Sequence, residues 1–129
     1  MIYNLLEYLV TELPALDFVA NGWRPSSPVD SIMVSVTGGE VKHWYDRTDW
    51  SVQILSRAKV VTVAKYQIDT VYAKLKNKWE TILPEVTVDA VIYPAVTAWQ
   101  ISPIQAPGYL GATDESLEMF SFNLMITTT

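Results

Sequence analysis

The residues of this chain that could carry chemistry are few. His43 is the single histidine, and there is no cysteine, so a cysteine triad and a thiolate metal site are excluded. A serine triad would have to use His43, and a histidine metal site would need carboxylates to complete it. His43 lies beside Trp44 and Tyr45. We interpret it as a solvent-facing or interface residue rather than a catalytic base.

Carboxylates cluster in two places, at Asp46 and Asp49 and again at Asp114, Glu115 and Glu118. Paired carboxylates perform acid–base or glycosidic chemistry when burial separates their pKa values. Both clusters lie in predicted turns, where the carboxylates are surrounded by solvent and not buried. We therefore expect no catalytic residue among them.

The glycine pairs do not form phosphate-binding loops. Neither Gly38-Gly39 nor Gly108 to Gly111 precedes a helix with the spacing whose backbone amides would face an anion. The segment Asp114 to Glu118 lacks the alternating oxygen ligands and the fixed glycine of a calcium loop. We predict no metal site, no cofactor and no enzymatic activity.

Composition predicts one compact domain, residues 1–129. Half of the residues are hydrophobic, and the net charge of −5 opposes binding to a phosphate backbone. No apolar run approaches the roughly 18 residues that span a bilayer, and the first residues do not resemble a secretory signal. The sequence thus predicts a soluble protein, made in the cytoplasm and without a membrane partner.

Aromatic residues are abundant, with five Trp and seven Tyr, while charged residues make up 18%. Aromatics beyond what a small core holds are candidates for protein interfaces. The alternative is that most of them fill the core.

Two amphipathic helices are predicted. Apolar residues at helical spacing run from Ile2 to Leu13 before Pro14, and a second series runs from Val61 to Trp79. Lysines crowd towards the end of the second series, where the helix dipole favours cations.

A hairpin separates the predicted helices. Strands at Ser31 to Thr37 and Ser51 to Arg57 alternate in polarity, and Gly38-Gly39 allow a reversal between them. The segment Glu40 to Asp49 would then be an arm longer than an ordinary hairpin loop. The alternative is a twisted extension of both strands.

Further strands flank this region. A short peripheral strand is predicted from Leu16 to Ala20, before an Asn21-Gly22 turn. Two more are predicted at Val86 to Val96 and Ala98 to Gln105, and a loop from Gly108 to Glu115. The alternating pattern from Met119 to Thr127 predicts a final strand paired inside a sheet.

Four local patterns resemble those of the tail-terminator and minor capsid proteins of long-tailed bacteriophages. They are Phe18 to Pro25, Ser31 to Gly39, Tyr45 to Arg57, and Trp99 to Gly111 followed by Ser121-Phe-Asn-Leu. The third resembles that group's aromatic-Asp-Arg start of a Val-Gln strand that ends in Arg. The resemblance spans about residues 16 to 127.

The resemblance implies an α+β fold: an antiparallel, mixed-order sheet with two main helices on one face and a long β-hairpin arm. It implies a structural virion protein of the tail or neck, a hexameric ring that caps the completed tail tube and joins it to the head connector. DNA would pass through the lumen without specific binding.

In this ring hypothesis, one set of residues contacts the neighbouring subunit and another faces the lumen. The interface set is Trp44, Tyr45, Asp46, Arg47 and Arg57. The lumen set is acidic, because a passage for DNA should repel phosphate, and comprises Asp114, Glu115 and Glu118.

Two alternatives stay open. A head-completion or neck adaptor protein also forms rings in such particles and can share this architecture. A small α+β ligand-binding protein or enzyme is the more distant alternative, and it would need a deep cleft with convergent titratable groups.

Overall fold

The computed structural model describes residues 1–41 and 46–129, and these form an α+β fold in which two helices pack on one face of a curled, mostly antiparallel sheet. The fold class implied by the resemblance is thereby confirmed. In chain order the elements are α1 (Ile2–Glu12), β1 (Phe18–Ala20), β2 (Ser31–Val41), β3 (Thr48–Ala58), α2 (Val61–Leu75), β4 (Lys78–Leu83), β5 (Val86–Val88), β6 (Val91–Tyr93), β7 (Val96–Pro103), β8 (Gly108–Ala112) and β9 (Glu118–Thr128).

The final strand lies at the centre of the sheet, as its regular alternation predicts. The strand order is β1-β2-β3-β9-β7-β4. On one side β9 pairs with β3 along its whole length, and on the other it pairs with β8 in its first half and with β7 in its second. The pair β1 and β2 is parallel, and β5 and β6 form a separate two-stranded hairpin.

One face of the sheet forms the core with the two helices. Val34, Ile54 and Phe122 stand side by side on β2, β3 and β9, and all three are fully buried. The helices cover them with apolar side chains, which are Leu5 and Leu9 from α1 and Ala64, Ile68, Val71 and Leu75 from α2. Burying each large apolar side chain contributes roughly 1.5–3 kcal/mol, so this face holds the fold together.

The opposite face of the sheet has a different character. Ser35, Gln53 and Asn123 stand side by side there and are half-buried, and Met125 is 37% exposed. This row of the face is uncharged.

The second helix is shorter than its spacing predicts. It ends at Leu75 instead of Trp79, because Lys76 is extended and Asn77 has φ 51. Asparagine tolerates this left-handed conformation, which terminates a helix. Trp79 therefore lies in β4, paired with Gln100 of β7, and the prediction that extended the helix to it is wrong.

The predicted reversal at Gly38-Gly39 is also wrong. Both glycines lie within β2, where Gly38 has φ 148 and a bulge interrupts the register between Val36 and Gly38. Pairing with β3 continues to Val41 opposite Thr48. Of the two interpretations of this segment, the described residues show the extension of both strands.

Two expectations near the end of the chain need correction. The stretch from Val86 to Val96 is broken by Asp89 and Ala90, whose φ values of 49 and 65 suit a tight hairpin turn. The predicted loop at Gly108 to Glu115 contains strand β8, which pairs with β9. Its glycines suggested a loop, but pairing with β9 gives their backbone amides and carbonyls partners.

Candidate functional site

The far part of the β2–β3 hairpin leaves one strand edge open. β1 covers β2 from Ile32 to Val34, and the backbone amide of Asn21 donates to the Val34 carbonyl at 2.9 Å. Beyond Val34, no strand in the described ranges pairs with the outer edge of β2, and Val41 is 65% exposed. An open edge of this kind can accept a strand from another molecule.

Of the predicted hairpin contacts, Trp44 and Tyr45 lie outside the described residues. Asp46 is exposed. The guanidinium carbon of Arg47 lies 5.1 Å from the centre of the Trp99 ring, which belongs to β7 of the same chain. Arg47 thus has an aromatic partner within its own chain. Its role at a subunit interface stays a prediction.

The far part of the hairpin is tied to the end of β9. The hydroxyl of Thr127 donates to the Asp49 carboxylate at 2.7 Å, and the indole nitrogen of Trp50 donates to the Thr128 hydroxyl at 2.9 Å. These side-chain bonds add to the backbone pairing that holds β3 against β9 here.

A second strand edge is open on the opposite side of the sheet. β4 pairs with β7 on one side, and its other side has no strand partner in the part of the chain that the structure describes. Trp79 and Ile82 on this strand are 67% and 66% exposed. Large apolar residues on an open edge mark a pairing or docking surface.

Arg57 lies at the other end of the sheet, held against Trp23. Its guanidinium carbon is 4.6 Å from the Trp23 ring centre, and its Nη2 donates to the Pro28 carbonyl at 3.0 Å. The Trp23 indole donates to the Ser31 hydroxyl at 2.7 Å, and that hydroxyl donates to the same Pro28 carbonyl at 2.8 Å. The Arg57 side chain is therefore held in place both by the Trp23 ring and by the Pro28 carbonyl.

Beside Arg57, two adjoining cavities of about 390 and 280 Å³ form one groove. Both are lined by Trp23, Arg57, Glu115 and Leu117. Asp114 lines the smaller one. The structure thus brings together an arginine predicted for the subunit interface and two acids predicted for the lumen. Trp23, which lines the groove and orients Arg57, was not singled out from sequence, because an aromatic residue in a loop carries no spacing signal.

The acids are held on a hydrogen-bonded turn between β8 and β9. The Thr113 amide donates to the Leu117 carbonyl at 2.9 Å, and the Leu117 amide donates to the Thr113 hydroxyl at 3.2 Å. Ser116 takes φ 61. Because the turn is closed in this way, Asp114 and Glu115 are displayed on a defined and exposed loop.

Glu118 is placed differently from the other two acids. Its carboxylate accepts a hydrogen bond from the Tyr109 hydroxyl, and this bond raises the pKa of Tyr109. Tyr109 also packs on Phe120, with ring centres 5.2 Å apart. Glu118 therefore has a structural partner of its own.

Other perturbed groups lie away from the groove. Burial raises the pKa of Tyr8, and a hydrogen bond with Glu12, 3.0 Å away, raises the pKa of Lys74. Within residues 1–41 and 46–129, no three acidic or histidine side chains come together in a way that could hold a metal ion. Neither α1 nor α2 is long and apolar enough to cross a membrane.

Comparison with known proteins does not identify a family for this chain. No protein-family model matches the chain, and no curated protein matches it at a significant level. A functional assignment therefore depends on the sequence patterns and on the geometry described above.

Proposed function

We propose that the protein is a structural component of a long-tailed bacteriophage, a ring that caps the completed tail tube and joins it to the head connector. The local patterns from residue 16 to 127 support this proposal, as does the agreement between the implied and the observed fold class. The observation that carries it is the pair of unlike open strand edges on opposite sides of one sheet.

A closed ring of identical subunits needs two different surfaces on each subunit, because every contact is head-to-tail. The outer edge of β2 beyond Val34 and the outer edge of β4 are two such surfaces. If β2 of one subunit pairs with β4 of the next, the sheet continues across the boundary, and Trp79 and Ile82 become buried. We also propose that the residues predicted for the subunit interface, Trp44, Tyr45, Asp46 and Arg47, contact a neighbouring subunit.

The acidic residues take two roles in this proposal. Glu118 accepts a hydrogen bond from Tyr109 and stays a candidate for the lumen. The net charge of −5 would also help the lumen to repel DNA. Asp114 and Glu115 share a groove with Arg57, which favours contact with a partner protein over repulsion of passing DNA.

The experiment that tests this function is immunogold electron microscopy of virions and of separated tails, with antibody against this protein. We expect gold at the head-proximal end of free tails. Label confined to heads would instead identify a neck adaptor of the same connector. Label on no particle would contradict the structural role.

The groove beside Arg57 is the observation that favours the second candidate, a small ligand-binding protein. It is concave and contains an aromatic side chain and charged groups. Absence of label on every particle would make this the preferred function.

A further inference from the structure

The groove at the end of the sheet is lined by side chains of both charges. Arg24 and Arg57 are its basic lining residues, and Asp114 and Glu115 on the β8–β9 turn are its acidic ones. Trp23 and Leu117 supply apolar lining, and Leu117 is 7% exposed.

Arg57 keeps most of its hydrogen-bonding capacity. A guanidinium has five N–H donors, and the described contacts of Arg57 use Nη2 for the Pro28 carbonyl. Its Nε is buried and has no acceptor among the described residues. A buried donor without an acceptor is unfavourable. A carboxylate in the groove would reach the guanidinium through its Nη atoms instead and form the charge-assisted hydrogen bonds that arginine and carboxylates prefer.

The basic and acidic lining residues are not paired with one another. Among the described residues, no ion pair joins Arg24 or Arg57 to Asp114 or Glu115. A ligand with one sign of charge would be attracted by one set of residues and repelled by the other. A phosphate group or a purely acidic segment would face Asp114 and Glu115, and a purely basic segment would face the arginines.

We propose that this groove binds a short extended segment of a partner protein in which an acidic and a basic side chain flank an apolar one. The acidic side chain lies against Arg57 and Arg24, the apolar one on Trp23 and Leu117, and the basic one against Asp114 and Glu115. The adjoining cavities, of about 390 and 280 Å³, together lie within the size range of ligand pockets. This recognition goes beyond ring formation and does not depend on it.

The test is a titration of the ¹⁵N-labelled full chain, with the Arg57 Nε–H and Trp23 Nε1–H resonances as local reporters. The probes are the blocked peptides Ac-Glu-Leu-Lys-NH₂ and Ac-Lys-Leu-Glu-NH₂, which cover both chain directions. Single-sign peptides, Ac-Glu-Leu-Glu-NH₂ and Ac-Lys-Leu-Lys-NH₂, and inorganic phosphate serve as comparison probes. We expect one mixed-charge peptide to shift both reporters and to bind at least about threefold more tightly than either single-sign peptide, because each exposed ion pair contributes a fraction of a kcal/mol.

Two variants distinguish binding in the groove from non-specific attraction between charges. Glu115→Gln changes an exposed turn residue, so we expect the fold to be kept, and it should weaken the mixed-charge peptide about two- to threefold while the Glu-Leu-Glu probe binds slightly more tightly. Arg57→Gln should weaken the mixed-charge peptide at least as much. Lys59→Gln is the matched control, because it removes one nearby exposed cation that does not line the groove.

Several results would overturn the proposal. Equal shifts with all four peptides, or equal effects of Arg57→Gln and Lys59→Gln, would show general charge attraction. A response to phosphate alone would identify an anion site, and the absence of any shift at the two reporters would remove the groove as a docking site.

Discussion

The side-chain nitrogen of Asn4 in α1 donates a hydrogen bond to the carbonyl of Pro94, 2.9 Å away and 90 positions later in the chain. The same nitrogen contacts the carbonyls of Pro84 at 3.0 Å and Tyr93 at 3.2 Å. Asn4 is 1% exposed. This one amide therefore joins α1 to both ends of the β5–β6 hairpin.

Replacing Asn4 by leucine should destabilise the fold. The three carbonyls would lose their donor inside the protein, and an unsatisfied buried polar group costs about 1–3 kcal/mol. We expect the free energy of unfolding in urea to fall by about 2–3 kcal/mol, with an unchanged slope.

The matched control for this prediction is Asn123→Leu, on the face of the sheet opposite the helices, where the asparagine is half-buried. It should change the free energy of unfolding by less than about 0.5 kcal/mol. Equal effects at both positions would contradict a specific role for Asn4.

Two glycines should respond in opposite ways to alanine. A Cβ added at Gly39 would come within 3.1 Å of the Trp50 ring and 3.2 Å of the Thr48 methyl group, whereas a Cβ at Gly108 meets nothing within 4 Å. We expect Gly39→Ala to lower the thermal midpoint by several degrees, since overpacking costs about 1 kcal/mol or more. Gly108→Ala should leave the midpoint unchanged or slightly raised. Differential scanning calorimetry measures both, and a stable Gly39→Ala protein would mean that the hairpin can shift to make room.

The Tyr109–Glu118 bond predicts a pH dependence at the alkaline end. The bond raises the pKa of Tyr109 in the folded state, so its stabilising effect is present below the ordinary tyrosine value of about 10 and is lost as pH rises through the folded value. Titration of ¹³Cζ-labelled tyrosine should show the pKa of Tyr109 falling in Glu118→Gln. The control is Glu115→Gln, a change in the preceding turn, which should leave Tyr109 unaffected. An identical Tyr109 titration in wild type and Glu118→Gln would argue against the bond.

The open edge of β4 predicts an assembly defect. Trp79→Lys and Ile82→Lys place charges on an edge that the ring proposal buries, and lysine on an edge strand opposes pairing. We expect both variants to stay folded, because the side chains are 67% and 66% exposed, and to fail to join tails in a complementation assay. Tyr66→Lys, at a 64% exposed position on α2, is the control that should assemble. Normal particle yield from both β4 variants would exclude this edge from the ring contact.

The hairpin contributes a separate prediction. Trp44→Ala and Arg47→Ala should reduce ring formation and particle yield, since truncating an aromatic or arginine side chain at an interface is commonly costly. Electron microscopy of tails from each variant measures the fraction of tails that carry a ring, together with the number of complete particles. Unchanged rings and yield in both variants would show that the assignment of the hairpin to the interface is wrong.

Patterns repeated over many residues predicted the fold best. The alternation in β9 and the helical spacing in α1 are confirmed because they continue long enough to define one buried side. Predictions at Gly38, Trp79 and Gly108 are wrong because each was decided by one or two residues. At those positions the chain pairs with another strand instead of forming the predicted turn, helix or loop.

The groove shows a different limit of sequence reasoning. Arg57 was a candidate because it ends a predicted strand, and Asp114 and Glu115 were candidates because of their charge. Their grouping with Trp23 depends on three segments that are far apart in the chain and meet only when β3 pairs with both β2 and β9. Neither hydrophobic periodicity nor residue spacing in the sequence predicts that these segments come together.

The central position of β9 has a consequence for how the protein is made. The strands β1 to β3 and the strands β7 and β4 are joined within one sheet through β9, which follows all of them in the chain. Because long-range strand pairing is slow and must wait for its partner, the earlier strands form an apolar, incomplete sheet until β9 has been synthesised. We therefore expect stable structure to form only after β9 is available, and the yield of folded protein to rise when expression is slowed by low temperature or assisted by chaperones.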